Sequence, residues 1–231
     1  MAITLYDLAA ADVDRRFSPF CWRTRMALAH KDLAVDSVPW RFTETEKIAF
    51  SGQGKVPVIV DGGKTVFDSW TIADYLDATY PDRPALLASP RERALAKFVG
   101  AWTDTVLHPG LARLIMADVW AHLDDKAKLY FRESREKRFG TTLEAFCADR
   151  DSKLAAFRQS LTPLRATLQA QPYLGGDGPD YADYIVFGGF QWARVISTVQ
   201  LLAADDPVAA WRQRLLDAFD GLAGKAKGYP V

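Results

Sequence analysis

The 231-residue sequence predicts an α+β half followed by an all-helical half, and three observations carry that division. Up to about residue 80, short β-branched and aromatic runs alternate with helical patterns in the order βαβ(α), then ββα. A polar, Pro-rich stretch from Pro81-Asp82-Arg83-Pro84-Ala85 to Ser89-Pro90 then breaks the pattern. Beyond it the apolar residues recur at helical spacing throughout. The expected fold is a four-stranded mixed sheet with helices over 1–84 and an all-α helical bundle over 91–231.

Taken in order, Ile3-Thr4-Leu5-Tyr6 reads as a short strand, and residues 8–17 as a long βα connection. A helix from Pro19 to His30 follows, with Ser18 as N-cap and Pro19 at the first helical position. Leu33 to Val38 gives a second strand ended by Pro39, and Thr43 to Phe50 a short irregular helix. Val56-Pro57-Val58-Ile59-Val60 reads as a strand, turning at Asp61-Gly62-Gly63 into its partner Thr65-Val66-Phe67. Ile72, Tyr75, Leu76 and Thr79 then share one face of a helix that opens at Asp68-Ser69 and stops before Pro81. This order of elements is thioredoxin-like, its parallel half joined by a right-handed crossover.

In the second half, Leu95, Phe98, Val99, Trp102 and Val106 form a stripe expected to end at His108-Pro109-Gly110. Leu111, Leu114, Ile115 and Val119 form the next, and the charge-rich residues 121–138 are expected to be an exposed helix–loop segment. Phe139, Leu143 and Phe146 continue the helical signal, followed by Leu154, Phe157, Leu161, Leu164 and Leu168, with a kink expected at Pro163. Asp180-Tyr181-Ala182-Asp183 is a capping box, and the helix it opens is apolar on all sides, which places it at the centre of the bundle. Asp205-Asp206-Pro207 starts a last helix carrying Trp211, Leu215, Ala218 and Phe219, and the Gly-rich basic stretch 221–231 is expected to be mobile.

Composition narrows the function classes. Lys+Arg and Asp+Glu are both 29, so no net field favours nucleic acid, an anionic membrane or acidic partners. Two cysteines, Cys21 and Cys147, fit a reducing compartment rather than a disulfide framework. With no signal-like N-terminus and no apolar run long enough to span a bilayer, a cytoplasmic location is expected. The three histidines (His30, His108, His122) are too dispersed for a metal site, so no metal is expected.

The chemistry centres on Ser18-Pro19-Phe20-Cys21. Its spacing is that of a C-P-x-C redox motif at a helix start, with serine in place of the reactive first cysteine. A hydroxyl there exchanges no disulfides, but it can donate to a sulfur supplied by another molecule. A free thiol has a pKa near ~8.5, and lowering it by about two units requires roughly 2.7 kcal/mol. One hydroxyl-to-thiolate hydrogen bond supplies roughly 1.5–3 kcal/mol and a helix N-terminus ~0.3–1, which together suffice. Taken alone, the same residues are simply a helix cap. Cys21, one turn in, reads as a buried small hydrophobe.

These features together resemble the cytosolic glutathione transferases. Ser18-Pro19-Phe20 is similar to that family's catalytic serine motif, and Gly54-Lys55-Val56-Pro57 to its G-K-V-P segment, with a cis proline. Asp68-Ser69 stands where the family has Glu-Ser, and Tyr181-Ala182-Asp183 resembles its helix-capping motif. Within the superfamily, the sequence resembles bacterial lignin β-etherases and fungal etherase-type transferases. The blocks that carry this are Ile3-Thr4-Leu5-Tyr6-Asp7-Leu8, Ser18 to Thr24, Val56 to Asp61, Asp68-Ser69-Trp70, Ser134-Arg135-Glu136 and Asp217 to Leu222.

The resemblance implies a homodimeric enzyme with glutathione as co-substrate and a hydrophobic electrophile, cleaving a β-aryl ether next to a carbonyl. Ser18 would stabilise the thiolate. Val56 would pair through its backbone with the cysteinyl unit, Pro57 fixing the turn. Ser69 and the helix N-terminus would take the γ-glutamyl carboxylate, and Asp68 the ammonium. Lys55 has two readings, a contact to the glycyl carboxylate or a solvated loop lysine; Arg15 and Arg16 are further candidates for that carboxylate. Phe20, Trp22, Trp102, Trp120 and Tyr184 either line an apolar pocket facing the thiol or belong to the core. His108 is either a helix-end residue or a substrate-side one. The rival from another class is a non-catalytic module of the same fold that binds a ligand or a protein, and turnover distinguishes the two.

Overall fold

Strand β1 (Ile3–Leu8) is the hub of the N-terminal sheet. In the computed structural model, which describes residues 2–231, it pairs in parallel with β2 (Val35–Trp40) and antiparallel with β3 (Val58–Asp61). Strand β4 (Lys64–Phe67) completes the order β2-β1-β3-β4, a four-stranded mixed sheet. Helix α1 (Pro19–His30) makes the crossover from β1 to β2, and α2 (Ser69–Thr79) follows β4. The turn between β3 and β4 needs both Gly62 and Gly63, at φ +54° and +91°; a two-residue hairpin of this twist demands positive φ at both positions.

Pro39 does not end β2 but lies inside it, opposite Asp7. Strand β2 is an edge, where a missing N–H can face away from the ladder without loss. The irregular helix is a 3-10 segment over Thr45–Ser51.

The second half is helical: α3 (Pro90–Trp102), a π turn (Thr103–Leu107), α4 (His108–Ala121), α5 (Asp125–Phe139), α6 (Leu143–Cys147), α7 (Arg150–Ser160), α8 (Thr162–Ala170), α9 (Tyr181–Ile196) and α10 (Pro207–Gly221). Helix α9 is the buried centre, opened by the Asp180/Asp183 capping box. It packs directly on α1. A Cβ at Gly188 would sit 2.3 Å from the Pro19 carbonyl oxygen, so only glycine lets the two backbones approach this closely.

Four expectations are corrected. His108-Pro109-Gly110 does not end a helix: the His108 N–H reaches back to the Thr103 carbonyl, and this wider turn lets the chain continue although Pro109 has no N–H to give. The expected single stripe divides: Leu95 and Phe98 of α3 and Val106 of the π turn are exposed, Phe98 by 70%, while Val99 and Trp102 pack against the core. At Pro163 the chain does not kink; α7 ends at Ser160 and α8 restarts with Pro163 in its first turn.

The fourth is the C-terminal stretch, which is docked rather than loose. Arg194 donates to the carbonyls of Ala223, Gly224 and Ala226, Gln191 to that of Ala223, and the Tyr229 N–H to Arg194 O. The helical geometry of α10 breaks at Ala218, with Phe219 and Asp220 at positive φ, and the Phe219 ring meets His30 and Tyr184 edge-on.

Candidate functional site

Strand register gathers three of the predicted segments at one end of the sheet. Val58 lies opposite Tyr6, so Val56-Pro57 falls beside the C-terminal end of β1. At that same end the Phe17 N–H donates to the Leu8 carbonyl, which delivers Ser18 next to it. Val58 also faces Phe67 on its other side, so Asp68-Ser69 emerges from β4 level with Pro57. The Val56-Pro57 bond is cis.

Each piece has its local cause. Ser18, 4% exposed, caps α1 by accepting the Cys21 N–H at 3.2 Å, and Pro19 takes the first helical position. Its hydroxyl hydrogen remains available to a further acceptor. Cys21 is fully buried; burial and then the Asp7 carboxylate push its thiol well up, so it is no nucleophile.

Asp68 caps α2 from φ +69°, a left-handed conformation costly for a residue with a side chain. Its Oδ1 accepts from Trp70 N at 3.1 Å, Thr71 N at 3.0 Å and the Thr71 hydroxyl at 3.2 Å. This narrows the expected anion site. The Trp70 and Thr71 N–H groups are already spent on Asp68, which leaves the Ser69 N–H and hydroxyl at the helix end. Helix α9 braces that turn, because the buried Tyr181 hydroxyl donates to the Ser69 carbonyl at 2.5 Å. Lys55 is exposed and makes no ion pair among the described residues.

The aromatic set divides. Phe20 is 38% exposed beside Ser18, with the Arg23 guanidinium 4.5 Å over its ring. Trp22 and Tyr184 are fully buried and present no face to an open pocket. The Trp22 indole donates to Arg16 O, and the Tyr184 hydroxyl lies 2.7 Å from His30 Nδ1. Since His30 Nε2 faces the Ala85 carbonyl, which can only accept, the proton sits there and Nδ1 accepts from Tyr184. Both residues belong to the seam between α1 and α9. Trp120 packs under Arg132 and Lys128 of α5, and Trp102 is half-buried where α3 enters the π turn. Arg15 and Arg16 are engaged elsewhere, Arg15 on Val195 O and the Tyr229 ring, Arg16 beside Asp7 and Ser37.

Sequence reasoning missed Asp104, which the π turn aims at α1. It accepts from Arg23 Nη2 at 2.8 Å and pairs with His108 Nδ1 at 3.3 Å, while the Phe20 ring meets His108 edge-on. Burial works against the Asp104 carboxylate, but the His108 hydrogen bond and the Arg23 charge outweigh it and hold its pKa at about 2. Burial pushes the His108 imidazole below its ordinary value, against the Asp104 hydrogen bond that raises it. The i,i+4 spacing of Asp104 and His108 was visible in the sequence; the turn that makes them face Arg23 was not. Among the described residues no group of three His, Cys, Asp or Glu side chains is placed to hold a metal ion, and no helix is long and apolar enough to cross a membrane.

Comparison with known proteins accords with this architecture. Residues 13–84 match the family model for the glutathione S-transferase N-terminal domain, and residues 94–219 the model for the C-terminal domain. A probable glutathione S-transferase, GSTU6, from Oryza sativa subsp. japonica is 26% identical over 210 residues, covering 85% of this chain and 80% of the rice protein. Among solved structures, glutathione transferase GSTFuA3 from Phanerochaete chrysosporium superposes with a TM-score of 0.82 at 26% identity, over 93% of this chain and 96% of that one. The glutathione S-transferase CsGST83044 of Ceriporiopsis subvermispora, solved in complex with glutathione, gives 0.75 at 27% identity, over 95% and 98%. The chain belongs to the glutathione S-transferase family.

Proposed function

We propose that this glutathione transferase uses Ser18 to stabilise the glutathione thiolate for attack on a hydrophobic, aromatic electrophile, and that its reaction is the cleavage of β-aryl ethers. One observation carries the reading: a buried serine caps α1 at the sheet end where the cis Val56-Pro57 bond and Asp68-Ser69 also lie. In this reading the 1–84 unit holds glutathione. The Ser18 hydroxyl donates to the sulfur, Val56 pairs through its backbone, the Ser69 N–H and hydroxyl bind a carboxylate, and Asp68 takes the ammonium through its second oxygen. Lys55 lies on the same loop as Val56 and is free to reach the glycyl end. The 91–231 unit faces the electrophile, with Phe20 the aromatic best exposed beside Ser18.

Balanced as a reaction, the thiol loses its proton, a carbon–sulfur bond forms at the β carbon, and the carbon–oxygen bond to the aryloxy group breaks. The departing phenolate takes a proton. A thioether and a phenol result, with no net oxidation. The ether assignment rests on the sequence blocks shared with etherase-type enzymes. The protein incubated with a β-aryl ether ketone should release phenol only when glutathione is present. Retention on immobilised glutathione without turnover of any ether or other electrophile would favour a binding module instead.

A homodimer is part of the proposal, supported by the exposed Leu95, Phe98 and Val106 on α3 and the π turn, and so is a cytoplasmic location, supported by two free, buried cysteines.

A further inference from the structure

The transferase reading gives no role to the docked C-terminal stretch, nor to the long connection over residues 8–17 that leads into Ser18. The two touch. The connection folds back on itself: Ala9 bridges Arg16, the Ala10 N–H donates to Arg15 O, and the Phe17 N–H to Leu8 O. Its two ends are thereby held side by side, with Leu8, Ala9, Ala10 and Phe17 buried. A packed ladder of this kind passes a displacement of its tip to the residue at its base, which is Ser18.

The tip of the connection reaches across to the helical half. The Ala11 N–H donates at 2.9 Å to the carbonyl of His122, just past α4, and Arg15 Nη1 donates to Val195 O of α9. The C-terminal stretch closes over this junction. The Tyr229 ring lies 4.9 Å from the Arg15 guanidinium carbon, its hydroxyl 3.1 Å from His122 Nε2, and its N–H donates to Arg194 O at 2.8 Å. Lys227 pairs with Asp12 at 2.5 Å, but both partners are substantially exposed and the pair is weakened by water and salt. Tyr229 is therefore the stronger link. One aromatic residue joins the loop before Ser18 to α9 and to the end of α4.

We propose that the C-terminal stretch is a strap between the two halves that sets the Ser18 hydroxyl against the glutathione sulfur, with Tyr229 as its positioning residue, an inference that rests on the thiolate role of Ser18. Tyr229 touches no reacting atom. It acts through Arg15, whose guanidinium packs over its ring while Val195 O takes one of the N–H groups. Without the ring Arg15 keeps one anchor in place of two, the tip gains freedom, and the hydroxyl at the base samples more positions. A hydrogen bond weakens steeply with misalignment, so the loss falls on the acidity of the bound thiol. Binding of the peptide itself is spared, since in that reading Val56 and Ser69 hold it independently.

The test compares full-length Tyr229→Ala and Tyr229→Phe with the wild type by hydrogen exchange and by ultraviolet titration of the bound glutathione thiol. In Tyr229→Ala the amides of Ala10, Ala11 and Phe17 should exchange at least about tenfold faster. The thiol midpoint should rise by about half a unit, a roughly threefold loss of acidity. Affinity for S-methylglutathione, which has no thiol to ionise, should stay within about twofold of wild type. Tyr229→Phe keeps the ring under Arg15 and should restore exchange and acidity to within about twofold of wild type. Unchanged exchange in Tyr229→Ala, faster exchange with an unmoved midpoint, or a phenylalanine variant as impaired as the alanine one would overturn the proposal. Exchange needs no glutathione, so the strap is judged apart from Ser18; a midpoint that stays depressed in Ser18→Ala would instead remove the thiolate role.

Discussion

In the proposed mechanism Ser18 carries two roles without conflict. Its oxygen accepts the Cys21 N–H while its hydrogen is free, so capping α1 positions the hydroxyl instead of consuming it. The position of that cap depends on a residue far away in sequence. Gly188 of α9 lies against Pro19, and a methyl group there would press 2.3 Å from a backbone oxygen that cannot swing aside. Gly188→Ala should therefore cost about 1–3 kcal/mol by overpacking and displace the start of α1. Gly178→Ala, where a Cβ meets nothing within 4 Å, is the control. Denaturant unfolding together with the conjugation rate checks this: both should fall for position 188 and neither for position 178. Nothing in the sequence singles out Gly188, because a close approach is a property of two segments and is written in neither.

At the scale of elements, helix starts were the most legible feature. Ser18-Pro19, Asp68-Ser69, Asp180 with Asp183, and Asp206-Pro207 all cap helices as their chemistry requires, since unpaired first-turn N–H groups accept few other solutions. Helix ends and interruptions were not legible. The π turn before Pro109 and the break at Ala218 to Asp220 depend on what the neighbouring helices offer, Arg23 for one and the His30–Tyr184 pair for the other.

The cap of α9 carries a pH dependence. Burial pushes the Asp183 carboxyl up, but it accepts N–H groups from Leu174, Gly175, Asp180 and the Trp211 indole, which favour its charged form. Burial first, and then that charge, raise Asp180 from 3.8 to about 6. A carboxyl raised on folding favours the native state when neutral, so its contribution is present below pH 3.8 and is lost as pH climbs through about 6. Asp180→Asn keeps the capping oxygen and removes the titration. The melting temperature of the variant relative to wild type should rise by a few degrees (about 2–4 °C per kcal/mol at this size) between the two pH values. A constant difference across that range would reject the assignment.

For the whole molecule, the two-part layout was readable because periodicity and the Pro-rich stretch are local signals, whereas the strand order β2-β1-β3-β4 was written in no local pattern. The assembly of the site was readable only through the resemblance, since strand register, not spacing, places Ser18, Val56-Pro57 and Asp68-Ser69 together. The α3 stripe shows the opposite failure. Leu95 and Phe98 have the spacing of a core face, yet they look outward, because periodicity reports an apolar face without saying what covers it. In the proposed homodimer a second copy covers it. Light scattering should give twice the mass of one chain for the wild type and the mass of a single chain for Phe98→Glu. A monomeric wild type, or a dimer that survives the substitution, would remove α3 from the interface.

The central claim is that the α1 cap stabilises a borrowed thiolate, and the most direct measurement is the thiol titration of bound glutathione, followed by ultraviolet absorbance of the thiolate against pH. For the wild type the midpoint should lie about two units below the ~8.5 of a free thiol. In Ser18→Ala it should return upward by at least about one unit, reflecting the loss of a charge-assisted hydrogen bond of roughly 1.5–3 kcal/mol, while glutathione still binds. A midpoint that stays depressed in the alanine variant would contradict the account.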